Sequence, residues 1–171
     1  MNTALSPLRR DLADVLGKHI IYTYANGWKY EMFVKTDHSI DYRIHGGIVA
    51  GRWVRDQTVN LANITFGVFR VSWDEPTGTS VAVTINVTER LVHGVIFFPA
   101  WIIDAPHKTV CYQNDHIDKM IAYRDQGPTY PRTMIAEYAT ITFMETCLIG
   151  SEDVIACAPR DLPPEYAMRR Q

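Results

Sequence analysis

The 171-residue sequence predicts a mainly β protein, folded as a meandering antiparallel barrel or sandwich. Three features carry that expectation. Between residues 20 and 98, about eight short runs alternate polar with apolar side chains and are rich in β-branched and aromatic residues. Gly, Pro, Asn and Asp separate these runs at hairpin spacing. A composition of 47% hydrophobic and 21% charged residues suits one globular domain with a real core, and no repeat, linker or low-complexity segment divides the chain.

Residues 8–16 suggest a short helix closed by Gly17. The first hairpin joins residues 20–24 to 29–34 through Asn26-Gly27, a pair that signals a two-residue type I′ turn because both central positions need positive φ. Runs at 40–45, 48–55 and 58–64 follow, with Gly46-Gly47 after the first and a polar break at Asp56-Gln57 between the other two. Residues 66–75 stop at Pro76-Thr77-Gly78-Thr79, since proline supplies no ladder donor. Residues 80–87 alternate without error, and 91–98 complete the series.

The later part is mixed. A short turn at 100–103 lies between Pro99 and Pro106, and 109–113 is a candidate strand. Asn114 or Asp115 can cap a helix over 116–126 that ends at Gly127. Pro128 and Pro131 frame a loop, 134–146 reads as another strand, and 151–158 as a short helix. From Arg160, with Pro163 and Pro164, a surface tail is expected. The domain is therefore 1–171, with an N-terminal extension of about 1–16 and a tail of about 160–171.

Several classes of function are disfavoured. A formal net charge of -2 without a basic run argues against nucleic acid. No apolar stretch reaches the length of a membrane span or a signal peptide. Cys111, Cys147 and Cys157 are an odd set without short spacing, which fits a reduced, cytoplasmic protein. Histidines at 19, 38, 45, 93, 107 and 116 include no pair at zinc-ligand spacing, so no metal is expected. There is no phosphate-cradling glycine loop and no Gly-x-Ser-x-Gly elbow, and Cys111 reads as a small buried hydrophobe rather than a nucleophile. Partners should be small molecules or copies of the chain itself.

Strand parity singles out the residues that matter. Tyr22 and Tyr24 share a face with Ile20, and Tyr30 shares one with Met32 and Val34. Three charged residues fall on apolar parity: Arg52 with Ile48, Ala50 and Val54; Glu75 with Phe69, Val71 and Trp73; Glu137 with Ala139, Ile141 and Phe143. In a barrel all of them would point inward with the phenols. A bulge that flips the parity, a strand end reaching solvent, or a structural ion pair are the competing readings.

The motifs Tyr22-Thr23-Tyr24, Asn26-Gly27-Trp28-x-Tyr30, Ile40-Asp41-Tyr42-Arg43-Ile44-His45 and Gly51-Arg52-Trp53-Val54 occur in that order. Trp73-Asp74-Glu75-Pro76-Thr77-Gly78-Thr79, His93-Gly94-Val95-Ile96-Phe97-Phe98-Pro99 and Cys111-Tyr112-Gln113-Asn114-Asp115-His116 follow. With these motifs, from about Gly17 to Pro164, the chain resembles the phenolic acid decarboxylases, the family of the bacterial ferulate and p-coumarate decarboxylases. The resemblance implies a lipocalin-like flattened β-barrel, a homodimer, no cofactor and a hydroxycinnamate substrate. It makes Tyr22 and Tyr24 the phenols that hold one polar end of that substrate, with Arg52 and Glu75 as the charged couple beside them. Tyr30 becomes a further hydrogen-bonding phenol, and Trp28 and Glu137 additional site residues. The rival class is a non-catalytic calycin-type carrier of small aromatic acids, and a third is an isomerase or hydratase acting on similar acids. A carboxylate inside the pocket favours acid–base catalysis over anion carriage.

Overall fold

The structure, a computed structural model, describes residues 11–171. Nine strands form one antiparallel sheet that curls into a nearly closed barrel. They are β1 (Lys18–Tyr24), β2 (Lys29–Val34), β3 (Ser39–Ile44), β4 (Trp53–Thr58), β5 (Asn60–Thr65), β6 (Val68–Asp74), β7 (Ser80–Asn86), β8 (Leu91–Phe98) and β9 (Thr133–Thr146). The order β4-β3-β2-β1-β9-β8-β7-β6-β5 is two four-stranded meanders with the last strand inserted between them. Two helices, α1 (Ala100–Asp104) and α2 (Ile117–Gln126), lie in the crossover from β8 to β9. In β7 and β8 the alternate residues are buried, as a sheet with one packed face requires.

Local chemistry moves several boundaries. The first hairpin turn contains Ala25, Asn26 and Gly27, with the Gly27 N–H donating to the Tyr24 carbonyl at 2.8 Å. Among these three only Gly27 takes positive φ, 92°, so the connection is a type I turn closed by a glycine bulge, not type I′. The Asn26 side chain accepts the Trp28 N–H at 3.0 Å, an Asx bond that keeps Asn26 in ordinary backbone territory. Residues 48–51 are a turn rather than the start of a strand, with Gly51 at φ 100°. The polar break at Asp56 is a bulge inside β4: its φ is 55°, and its N–H donates to Asp41 Oδ1 at 2.7 Å.

Residues 109–113 form no strand beyond a single bridge from Trp53 to Tyr112. The expected cap of α2 also fails, because Asn114 spends its amide on both backbone groups of Arg55, at 3.0 and 2.8 Å. The helix expected to begin at residue 8 is a 3-10 turn, Asp11–Asp14, within the described residues; its first positions lie outside them.

The C-terminal end departs furthest from expectation. Residues 151–158 are bends, not a helix, and their carbonyls are taken by a side chain: Val154 and Cys157 each accept from Arg43 at 3.2 Å. The segment from Arg160 lies at the surface, as expected of a tail, but Tyr166 bonds to Glu31 and Arg169 covers the Phe143 ring. Strands β1–β3 are buried along most of their length on both faces, with Ile21, Phe33 and Ile155 fully enclosed. Burying such a side chain contributes about 1.5–3 kcal/mol.

At the centre of this covered face sits Glu31, 0% exposed. It accepts from His19 Nε2 at 2.6 Å, Arg43 Nε and Nη2 at 2.8 and 2.9 Å, His45 Nε2 at 2.7 Å and the Tyr166 hydroxyl at 2.6 Å. Burial alone would raise the Glu31 carboxyl, but bonds from His19, His45 and Arg43 outweigh it and hold the group well below its ordinary 4.5. A depressed carboxyl stabilises the fold above its unfolded pKa, and the benefit fades as pH falls toward the folded value. Glu31→Gln should therefore cost about 3–5 kcal/mol at neutral pH, by stranding the buried Arg43 guanidinium. Urea unfolding of both proteins from pH 7 to pH 3 checks this: the gap between them should narrow below about pH 4.5.

Candidate active site

Because successive strand residues face opposite ways, the neighbours of the buried ion cluster line the barrel interior. Tyr30 and Met32 flank Glu31, and Tyr42 and Ile44 flank Arg43; all four line one internal cavity together with Tyr22 and Tyr24 of β1. The phenols of Tyr22, Tyr24 and Tyr30 pack as a cluster, with Tyr24 edge-on to Tyr22 at 5.5 Å and to Tyr30 at 5.3 Å between ring centroids. Val81, Val83, Ile96 and Phe98 supply the opposite, apolar wall.

Into this cavity two turns deliver opposite charges. Arg52 follows the turn at 48–51 and is buried, while Glu75 follows β6, where its N–H donates to the Thr79 carbonyl at 2.8 Å. Arg52 Nη2 donates to Glu75 Oε2 at 3.1 Å and also to Gln113 Oε1, and Arg52 Nη1 donates to the Thr109 carbonyl at 3.3 Å. Glu75 Oε1 accepts the Tyr42 hydroxyl at 2.6 Å and Trp73 Nε1 at 3.2 Å; Thr77 adds a bond to Oε2 at 3.3 Å. Trp73 and Arg52 can only donate, so both oxygens of Glu75 serve as acceptors here.

Burial, reinforced by neighbouring phenols, pushes the Tyr22 hydroxyl well above its ordinary value, and burial likewise raises Tyr24 and Tyr30. Tyr42 is raised by burial too, against the pull of Arg52. All four stay neutral donors at physiological pH. Burial works against the charge of Arg52, yet Tyr42 and Glu75 outweigh it and raise its pKa further. The cavity is thus one fixed ion pair and four neutral phenols within apolar walls.

The expected residues divide unevenly. Tyr22, Tyr24, Tyr30, Arg52 and Glu75 meet in the cavity. Trp28 and Glu137 are outside its lining: Trp28 packs half-buried beside Gly47, and Glu137 is half-buried opposite Gly94 in the β8–β9 ladder. Tyr42, Trp73, Thr77 and Gln113 bind the ion pair directly, and strand reading did not assign them. For Tyr42 the signal was present, since it shares parity with Ile40 and Ile44. Gln113 lies in a 3-10 turn, where no periodicity announces a face.

The profile of the family described as phenolic acid decarboxylase (PAD) matches residues 12–169. A probable phenolic acid decarboxylase of Vibrio cholerae is 52% identical over 158 residues, covering 92% of this chain and 91% of that protein. A phenolic acid decarboxylase of Bacillus subtilis is 53% identical over 148 residues, covering 86% and 92%. The chain belongs to the phenolic acid decarboxylase family. It is therefore an enzyme, a carboxy-lyase, and its substrate is a phenolic acid.

Elsewhere in this decarboxylase, His19, Glu145 and Cys147 bring potential metal ligands within 4.8 Å of one another. They fit an ion a poor second to each other. His19 commits its two ring nitrogens to Glu145 at 2.8 Å and Glu31 at 2.6 Å, and burial pushes the Cys147 thiol up to about 11, so it stays protonated. In the cavity itself, the Tyr30 hydroxyl is enclosed and bonds to nothing among the described residues. An unmet buried hydroxyl costs about 1–3 kcal/mol, so Tyr30→Phe should leave the unliganded enzyme equally stable or more so. Thermal unfolding of that variant is the check, and a marked loss of stability would show that the hydroxyl has a partner.

Proposed function

We propose that the chain decarboxylates 4-hydroxycinnamic acids, among them p-coumaric, ferulic and caffeic acid, to 4-vinylphenols and carbon dioxide without a cofactor. The observation that carries the reading is the Arg52–Glu75 pair held at 3.1 Å inside an apolar cavity walled by phenols. Loss of carbon dioxide requires an electron sink. In a 4-hydroxycinnamate the substrate provides it: ionising the para hydroxyl, whose proton passes to solvent and is regained by the vinylphenoxide product, pushes electron density through the ring to the alkene carbon beside the carboxylate. Protonation of that carbon gives a quinone methide; cleavage of the carbon–carboxyl bond then returns the electron pair to the ring and releases carbon dioxide.

Glu75 is the proton donor to the alkene carbon. As it stands, Arg52 and Trp73 hold it as an acceptor. An incoming carboxylate competes for Arg52 and loosens its hold on Glu75, freeing the Glu75 side chain to approach the alkene carbon. Arg52 meanwhile orients Glu75 and balances the added anion. Tyr22 and Tyr24, kept neutral by burial, donate to one polar end of the substrate, and the unpaired Tyr30 hydroxyl supplies a further bond. Trp28 and Glu137 are assigned no step.

The test is direct. With p-coumarate the protein should consume the acid and form 4-vinylphenol, and no turnover would remove the reading. Cinnamate and the 4-methoxy analogue cannot form the phenoxide and should be inert; rates comparable to p-coumarate would eliminate the quinone-methide route. Glu75→Gln should lose about 10²–10⁴ in kcat while still binding substrate, as expected for a general acid.

The same reading extends to a cytoplasmic homodimer. The three cysteines are free thiols, and the outer face of the β8–β9 pair carries an apolar ribbon with Leu91 40%, Met134 60% and Tyr138 60% exposed. Sedimentation should give twice the chain mass, and Met134→Asp with Tyr138→Asp should give monomer; a wild-type monomer contradicts the assignment.

A further inference from the structure

The inward face of β8 runs Val92, Gly94, Ile96, Phe98, and Gly94 is its only position without a side chain. Glycine in a strand interior weakens the strand, and it persists where something approaches the backbone closely. Gly94 is not among the positive-φ glycines, so the backbone conformation does not demand it. The space does. A Cβ at this position would stand 2.2 Å from the Tyr24 hydroxyl oxygen and 3.0 Å from its ring carbon Cζ.

Tyr24 reaches this point by a particular route. Its backbone is on β1, paired with Ala139 of β9, yet its hydroxyl lies against Gly94 of β8, which pairs with Glu137, so the side chain spans β9 to reach the next strand. The ring cannot move aside freely, being buried and wedged edge-on between Tyr22 and Tyr30. We propose that Gly94 is a positioning residue for the decarboxylation: its missing side chain is the slot that holds the Tyr24 hydroxyl flat against the barrel wall, at the place from which it donates to the substrate. This rests on the assignment of Tyr24 as a substrate-binding phenol. Gly94 touches no substrate atom and acts only through Tyr24. A methyl group there drives the hydroxyl out of its slot and into the cavity.

The experiment is a double-mutant cycle with p-coumarate, using Gly94→Ala, Tyr24→Phe and the pair together. Gly94→Ala should lower kcat/KM at least tenfold in a protein that still unfolds cooperatively, with a lowered melting temperature. In the Tyr24→Phe background, where the clashing oxygen is gone, the same substitution should cost less than threefold. A native kcat/KM in Gly94→Ala overturns the proposal, as does an undiminished tenfold loss in both backgrounds. If Gly94→Ala alone does not fold, recovery of a folded double variant with the activity of Tyr24→Phe supports the slot, and failure of both overturns it. Native activity in Tyr24→Phe alone instead removes Tyr24 from its substrate-binding role, and the slot's catalytic meaning with it; a substantial loss there leaves that role intact and confines any failure to Gly94.

Discussion

A buried carboxylate organises this barrel. Left alone, a charge as enclosed as Glu31 would cost far more than the whole fold is stable by. It is tolerated because its donors arrive from separate parts of the chain: His19 from β1, Arg43 from β3, His45 from the residue beyond it, and Tyr166 from the C-terminal segment. Each bond is geometric as well as electrostatic, so together they set the spacing of three strands and the position of the segment that covers them. Such clusters contribute little net stability compared with an apolar core, but losing one member is expensive.

Strand geometry transfers that constraint to the opposite surface. Glu31 lies between Tyr30 and Met32, and Arg43 between Tyr42 and Ile44, so the ion cluster and the cavity wall are the two sides of the same peptide units. Inside the barrel the chemistry is of another kind. The phenols stay neutral because they are dry, and the single ion pair there is suspended from turns rather than strands. The cavity so divides its polar groups into neutral phenol donors and one ion pair.

The inserted final strand joins the two meanders and gives Tyr24 its reach. Without β9 between β1 and β8, the two four-stranded halves would share no ladder, and the phenols of one would not face the apolar wall of the other. The crossover before β9 also closes on the ion pair, with Trp53 stacked on Tyr112 at 4.0 Å and the neighbouring Gln113 accepting from Arg52.

Alternation and turn chemistry were enough to reveal the strands, because period-two burial is written locally: β2 and β8 have the boundaries that their residue patterns imply. The same parity turned Tyr22, Tyr24 and Tyr30 inward and marked Arg52, Glu75 and Glu137 as charges among apolar positions, but Arg52 and Glu75 reach the cavity from turns and Glu137 lies outside its lining. Local reading was misled where side chains compete for backbone groups, as at Asn26, Asn114 and Asp56, each of which spends or receives a bond that propensity does not foresee. It was blind to partners distant in the chain. Nothing near Glu31 announces that Tyr166 will reach it 135 residues later, nor does a glycine in β8 reveal that a tyrosine of β1 needs its space. Sequence alone determined the barrel, the family resemblance and the chemical types of the principal groups in the cavity. Which of these groups touch, and what holds them at that distance, was decided only when tertiary folding closed the strands and brought Tyr166 onto the face that carries Glu31.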